Sequence, residues 1–175
     1  MRINERTLIG IGAVAAMAGG ALRVVSSFIP YAPESPGLEL LYAIEDALML
    51  FGLMGVYFSV ATETGWTGLA GFVVAVIGLA SIVGPDPVMF GINFYEAGAS
   101  CLLAGLSIFS AALMLAGQLR LAAGLWIAAF ILAVAGAATA QPVLIAASGG
   151  IFGLAFLASG FAVSNSSAGP AHVRR

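Results

Sequence analysis

The chain has 175 residues, of which 61% are hydrophobic and 8% charged, with a formal net charge of -2 and a mean hydropathy of +1.08. A soluble domain carries roughly 25% charged residues, and a soluble fold this apolar would expose large greasy patches. There is no Lys and no basic cluster suited to nucleic acid. The single Cys101 excludes an intrachain disulfide and a multi-cysteine metal site, and the single His172 lies in a polar tail. Neither a metal nor a cofactor is expected.

Residues 1–7 form a short polar lead carrying Arg2, Glu5 and Arg6. The first apolar run, 8–29, approaches the ~20 residues a spanning helix needs and is interrupted by Arg23. Its basic start and Ala16-Met17-Ala18 also fit a cleavable signal peptide. Apolar character resumes beyond Arg23, so a retained span is expected and cleavage is the alternative. A stiff loop from Pro30 to Gly37 follows, with Pro33, Glu34 and Pro36 inside it. The second span is 38–61, ended by Thr62-Glu63-Thr64-Gly65, and the third is 66–83, closed by Gly84-Pro85-Asp86-Pro87. Residues 88–93 are too short to cross and read as a loop or a shallow re-entrant piece.

The fourth span is 94–116, and Gln118-Leu119-Arg120 turns tightly into the fifth, 121–140. Gln141-Pro142 starts another turn before the sixth span, 143–163, and residues 164–175 form a flexible polar tail. Continuous Ala/Gly/Leu-rich runs argue against a transmembrane barrel, whose strands alternate in short segments. The expected fold is an all-α integral membrane protein, a compact bundle of six transmembrane helices. Arg2, Arg6, Arg120, Arg174 and Arg175 all fall on one side, which places both termini in the cytoplasm of a multi-pass cell-membrane protein.

Internal similarity is weak. Spans one, three and five end near Pro30, Pro85 and Pro142, and Tyr42 and Tyr95 each precede a Gly-Leu pair by ten residues. This suggests three helical hairpins side by side, although prolines end helices in any case. Small residues at four-residue spacing, Gly12/Ala16/Gly20, Gly149/Gly153 and less clearly Gly98/Leu102, are candidates for close helix packing.

Charges inside the spans carry the functional argument, because such groups face a bundle interior or a wet cavity. Glu45 and Asp46 adjoin near the start of span two, and Arg23 lies about 9 Å from the end of span one at ~1.5 Å per residue. All three share the outer leaflet, so Arg23 can pair with Glu45 or Asp46. One arginine cannot neutralise two desolvated carboxylates, and the leftover charge must be protonated, hydrated or matched by a ligand. Glu96, Ser100, Ser107 and Ser110 make a second polar stripe along span four, with Tyr95 beside Glu96. Serines that bond their own backbone are the plainer reading of that stripe. The outer half sums to a formal -5 and the inner half to +3, so the outer mouth attracts cations.

The substrate-binding residues expected on these grounds are Arg23, Tyr42, Glu45, Asp46, Tyr95 and Glu96. Catalytic residues are not identified, and enzyme activity stays open. The first functional reading is a permease or membrane substrate-binding subunit for a cationic or amine-bearing solute, with a proton as a possible co-ligand. So small a transporter is expected to form a homo-oligomer or to be a subunit of a membrane complex. The second is an intramembrane isomerase or cyclase using Glu45 and Asp46 as acid and base on a lipid-soluble substrate. The third is a non-catalytic accessory subunit of a larger membrane complex.

Overall fold

The structure, a computed structural model, describes residues 4–30, 32, 35–82, 88–89 and 91–168. It contains five helices: α1 (Glu5–Ser26), α2 (Pro36–Ile82), α3 (Phe94–Leu115), α4 (Arg120–Thr139) and α5 (Pro142–Ala168). All five are long and apolar enough to cross a membrane. Between α2 and α3, two short strands, β1 (Val88–Met89) and β2 (Ile92–Asn93), pair antiparallel with Val88 opposite Asn93.

Helix starts follow local chemistry. The side chain of Asn4 caps α1 by accepting from the Arg6 N–H, and Asn93 caps α3 by accepting from the N–H groups of Tyr95 and Glu96. Pro36 and Pro142 occupy the first positions of α2 and α5, where a missing N–H costs nothing.

The second helix is 47 residues long. Straight, it would measure about 70 Å, more than twice the ~30 Å hydrocarbon core of a bilayer. It is not straight. Gly65 has φ 57° and ψ -152°, a conformation essentially restricted to glycine. The rings of Tyr57 and Phe72 stack with centroids 4.1 Å apart, whereas fifteen residues of continuous helix would separate them by about 22 Å. The chain therefore reverses at Gly65, and the limbs 36–64 and 66–82 lie against one another.

Close glycine contacts give the direction of three packed pairs. A Cβ added at Gly12 would meet the Gly55 backbone at 2.5 Å, and one at Gly52 would meet Ala16 at 2.6 Å, so α1 runs antiparallel to the first limb of α2. In the second limb, Gly71 approaches the backbone of Gly105 and Phe109, while Gly78 approaches Gly98 and Leu102. On the other flank of α1, a Cβ on Gly20 or Gly153 would lie 2.6 Å from the other's carbonyl oxygen, and Gly160 faces Ala13 at 2.5 Å. Helices that meet at glycine bring backbones within van der Waals range, the packing that replaces hydrophobic driving force inside lipid.

An aromatic chain, Phe72–Tyr57–Phe109–Trp126–Phe156–Phe152, crosses the centre and links α2, α3, α4 and α5. Outward, every helix shows large apolar side chains: Ile11 on α1, Phe58 and Ile77 on α2, Ile108 on α3, Ile131 on α4 and Phe161 on α5. Small residues where helices touch and large apolar side chains facing outward suit lipid as the surrounding solvent.

Several boundaries differ from the sequence reading. Helix α1 begins at Glu5 and ends at Ser26, so residues 27–29 form a turn, and the helix passes through Ala16–Ala18 unbroken. Thr62, Glu63 and Thr64 remain helical, with the Thr64 hydroxyl donating back to the Val60 carbonyl, and the reversal waits for Gly65. The segment 88–93 holds a small antiparallel ladder rather than a loop alone. Helix α5 extends to Ala168, five residues into the stretch expected to be tail. Arg2, Pro33, Glu34, Pro85, Asp86, His172, Arg174 and Arg175 lie outside the described residues.

Candidate functional site

The charged cluster forms where the end of α1 meets the first turns of α2. Arg23 occupies the last turn of α1, where a cation is favoured by the helix dipole. Its Nη1 donates to Glu45 Oε1 at 2.9 Å, with the Arg23 side chain 27% exposed and that of Glu45 0% exposed. The other oxygen, Oε2, accepts from Ser26 Oγ at 2.6 Å. Ser26 Oγ also lies 3.2 Å from the Arg23 carbonyl, but a hydroxyl has one proton, and the shorter, charge-assisted contact takes it. Ser27 Oγ donates to the same carbonyl at 2.6 Å and so helps close the helix end.

The glycine seam explains why Glu45 is the acid that pairs. Glu45 stands four and seven residues before Met49 and Gly52, and these two meet α1 at Gly19 and Ala16. Spacings of four and seven share one helix face, so the seam that docks α2 on α1 aims Glu45 at Arg23. Asp46 is turned by about 100°. It heads the column Asp46, Met49, Leu53, of which Met49 and Leu53 are core residues. Asp46 therefore sits half-buried at the end of the bundle core, and among the described residues it makes no hydrogen bond or ion pair.

Of the other expected residues, Tyr42 is half-buried one turn before Glu45 and Asp46. Tyr95 and Glu96 are exposed in the first turn of α3. The Tyr95 hydroxyl and the Asp46 carboxylate both lie within electrostatic reach of the Arg23 guanidinium. The structure thus gathers Arg23, Glu45, Asp46 and Tyr95 at one end of the bundle. Glu96 sits at the rim, with its backbone N–H bonded to Asn93.

The serine stripe of span four does not form a continuous polar wall. Ser107 donates to the Leu103 carbonyl, Ser100 is exposed, and Ser110 is buried with its hydroxyl unpartnered among the described residues. One residue of the cluster is missing from the sequence reading: Ser26, whose signal is a hydroxyl three residues beyond an intramembrane arginine. Gly149, expected with Gly153 as a close-packing position, has that role, because its bare Cα lets α5 close over Ser27 and the Arg23 guanidinium.

No group of three or more His, Cys, Asp or Glu that could hold a metal ion occurs among the described residues. The surface carries an apolar groove of about 430 Å³ over α5 and a cleft of about 210 Å³ at the Gly65 reversal between Tyr57 and Trp66. Neither is lined by any of the six expected binding residues. Compared with protein-family models, curated proteins and solved structures, the chain matches none.

Proposed function

We propose that the chain is a six-span membrane protein with both termini cytoplasmic, and that its outer mouth binds a cationic or amine-bearing solute at Asp46. In this reading the two limbs of α2 count as separate spans, because each is long enough to approach a bilayer crossing and they run in opposite directions. The cytoplasmic side is the one rich in arginine. A cysteine-labelling scan with Thr62→Cys and Gln118→Cys in a Cys101→Ser background tests this, with modification from the cytoplasmic side only as the expected pattern.

The observation that carries the binding assignment is the unequal fate of the two acids. Glu45 is buried and has both oxygens engaged by Arg23 and Ser26. Asp46 makes no hydrogen bond or ion pair among the described residues, and it shares with Tyr95 the field of the Arg23 guanidinium. A half-buried carboxylate without a partner of its own favours a cation there. Tyr42 and Tyr95 supply aromatic and hydroxyl groups suited to an organic ammonium ion.

The close glycine seams on both flanks of α1 and between α2 and α3 favour a rigid body over one that rocks. The protein is accordingly assigned as a membrane-embedded binding subunit of a transport assembly or homo-oligomer, in preference to a self-contained carrier. Acid–base chemistry by Glu45 and Asp46 is less well supported, because Glu45 is 0% exposed and both its oxygens are engaged by Arg23 and Ser26.

A thermal-stability screen of the detergent-solubilised protein against primary, secondary and quaternary amines and alkali cations is the test. A ligand at 100 times its Kd adds about 2.7 kcal/mol, which corresponds to roughly 5–10 °C for a chain of this size. The expected outcome is stabilisation by at least one amine, lost in Asp46→Asn. Indifference to every cation tried would refute the assignment.

A further inference from the structure

The close contacts divide the bundle into two bodies. In one, α1 meets the first limb of α2 at Gly12 and Gly55 and meets α5 at Gly20 and Gly153, and the Ser148 hydroxyl of α5 donates to the Ala129 carbonyl of α4 at 2.8 Å. The other body is the second limb of α2 with α3, joined at Gly71, Gly78, Gly98 and Gly105. Among the described residues, no glycine of either body approaches the backbone of the other. Rings bridge the two joints instead. Tyr57 stacks on Phe72 with centroids 4.1 Å apart, and Phe109 meets Trp126 at 6.2 Å. Ring contacts tolerate a range of offsets and tilts, whereas backbones packed at glycine do not slide freely. The Trp126 indole N–H has no partner among the described residues, so it does not pin its joint.

The chain passes between the bodies twice. The first crossing is Gly65, at φ 57° and ψ -152°. The second runs from Gly117, at φ 72°, to Leu119, at φ 40°. Glycine reaches positive φ without steric cost, and hinges form where a few element-terminal residues absorb the change in φ and ψ. Gly12 opposite Gly55 and Gly71 opposite Phe109 put Gly65 and Gly117 at the same end of the bundle. The charged cluster lies at the other end, with Arg23 and Asp46 on one body and Tyr95 on the second.

We infer that the second limb of α2 and α3 swing together as a flap, hinged at Gly65 and at the Gly117–Leu119 turn, and close Tyr95 over a cation held at Asp46. The closure rests on the assignment of Asp46 above, and the hinge does not. Both hinges lie at the cytoplasmic end, so the swing opens and shuts the outer mouth alone. Each body stays rigid, and the protein remains a binding subunit with no inward-open form. A rotation of about 10° moves Ala97, ~30 Å along α3 from Gly117, by about 5 Å and moves Leu115 by less than ~1 Å.

The full chain with Cys101→Ser, in lipid nanodiscs, carries nitroxide labels on cysteine pairs that span the two bodies. Ala97→Cys with Val143→Cys reports the outer end, and Leu115→Cys with Leu8→Cys the cytoplasmic end; all four positions are exposed. Pulsed electron–electron resonance of the free protein should give a broader distance distribution for the outer pair than for the cytoplasmic pair. Tetramethylammonium chloride, against sodium chloride at equal ionic strength, should shorten the outer distance by about 5 Å, the displacement of a rigid helix end, and leave the other distance unchanged. Asp46→Asn should abolish the shortening.

Equal widths at the two ends of the free protein would overturn the hinge, as would breadth confined to the cytoplasmic pair. An outer distance that stays put while tetramethylammonium raises the melting temperature would overturn the closure, and so would shortening that persists in Asp46→Asn. The widths are read without any amine, so failure of the Asp46 assignment is distinguishable from failure of the hinge.

Discussion

Removing Arg23 and removing Glu45 are expected to have unequal consequences, although the two form one ion pair. Arg23→Gln leaves the Glu45 carboxylate at 0% exposure with Ser26 as its remaining donor. Breaking a buried pair in this way costs about 3–5 kcal/mol. Glu45→Gln keeps the side-chain volume and leaves Arg23, at 27% exposure, able to reach water or headgroups. Its cost is that of one charge-assisted hydrogen bond, about 1.5–3 kcal/mol. At 2–4 °C per kcal/mol for a chain of this length, the expected losses are roughly 6–20 °C for Arg23→Gln and 3–12 °C for Glu45→Gln. The double variant carries no stranded charge and should recover about half of the Arg23→Gln loss. Thermal unfolding in one detergent, followed for all four proteins, measures the cycle. Single effects that simply add in the double variant, or a Glu45→Gln loss exceeding that of Arg23→Gln, would refute this account of the pair.

Ser26→Ala removes the donor to Glu45 Oε2 and is expected to cost about 1–3 kcal/mol. Ser27→Ala, whose hydroxyl serves only a backbone carbonyl, should cost less than half as much in the same assay. Gly20→Ala places a Cβ 2.6 Å from the Gly153 carbonyl oxygen and should destabilise by about 1–3 kcal/mol. Gly10→Ala, in the same helix but with nothing within 4 Å, should stabilise by about 0.5–1 kcal/mol. Ser110→Ala deletes a buried hydroxyl with no partner among the described residues. It should raise stability by about 1 kcal/mol, and a loss of that size would mean that the hydroxyl is satisfied.

The apolar runs were legible because each ends at residues that stop helices for local reasons. Gly65 is the clearest case: the Thr-Glu-Thr-Gly stretch marks a break, although three of its residues stay helical. The helix seams were only half legible. A search for small residues four apart finds Gly12, Ala16 and Gly20 as one stripe, yet Gly12 and Ala16 face α2 while Gly20 faces α5. The seam between α2 and α3 uses pairs seven apart, Gly71/Gly78 against Gly105/Gly98, and the seam between α1 and α5 adds Gly160 against Ala13 to the expected pair Gly149/Gly153, which meets Ser27 and Gly20. Two full turns of spacing suit antiparallel helices crossing at a shallow angle.

At the charged cluster, the meeting of Arg23 with an acid of span two followed from their shared depth and the short connection between them. Which acid it meets depends on the rotation of α2 about its axis. Gly52 and Gly55 set that rotation, and counting back seven residues from Gly52 reaches Glu45. Ser26 is legible only as a hydroxyl three residues beyond an intramembrane arginine, and Gly149 only as a packing glycine beside Gly153; that they join the charged cluster depends on how α2 and α5 dock on α1.

The central claim is that Glu45 is neutralised within the bundle and that Asp46 carries the charge available to a ligand. The most direct measurement is the affinity of the best stabilising amine for the wild type, Asp46→Asn and Glu45→Gln, by titration calorimetry in detergent. The account predicts that Asp46→Asn abolishes binding while Glu45→Gln, although less stable, binds within a few-fold of the wild type. Binding lost in Glu45→Gln and kept in Asp46→Asn would contradict it.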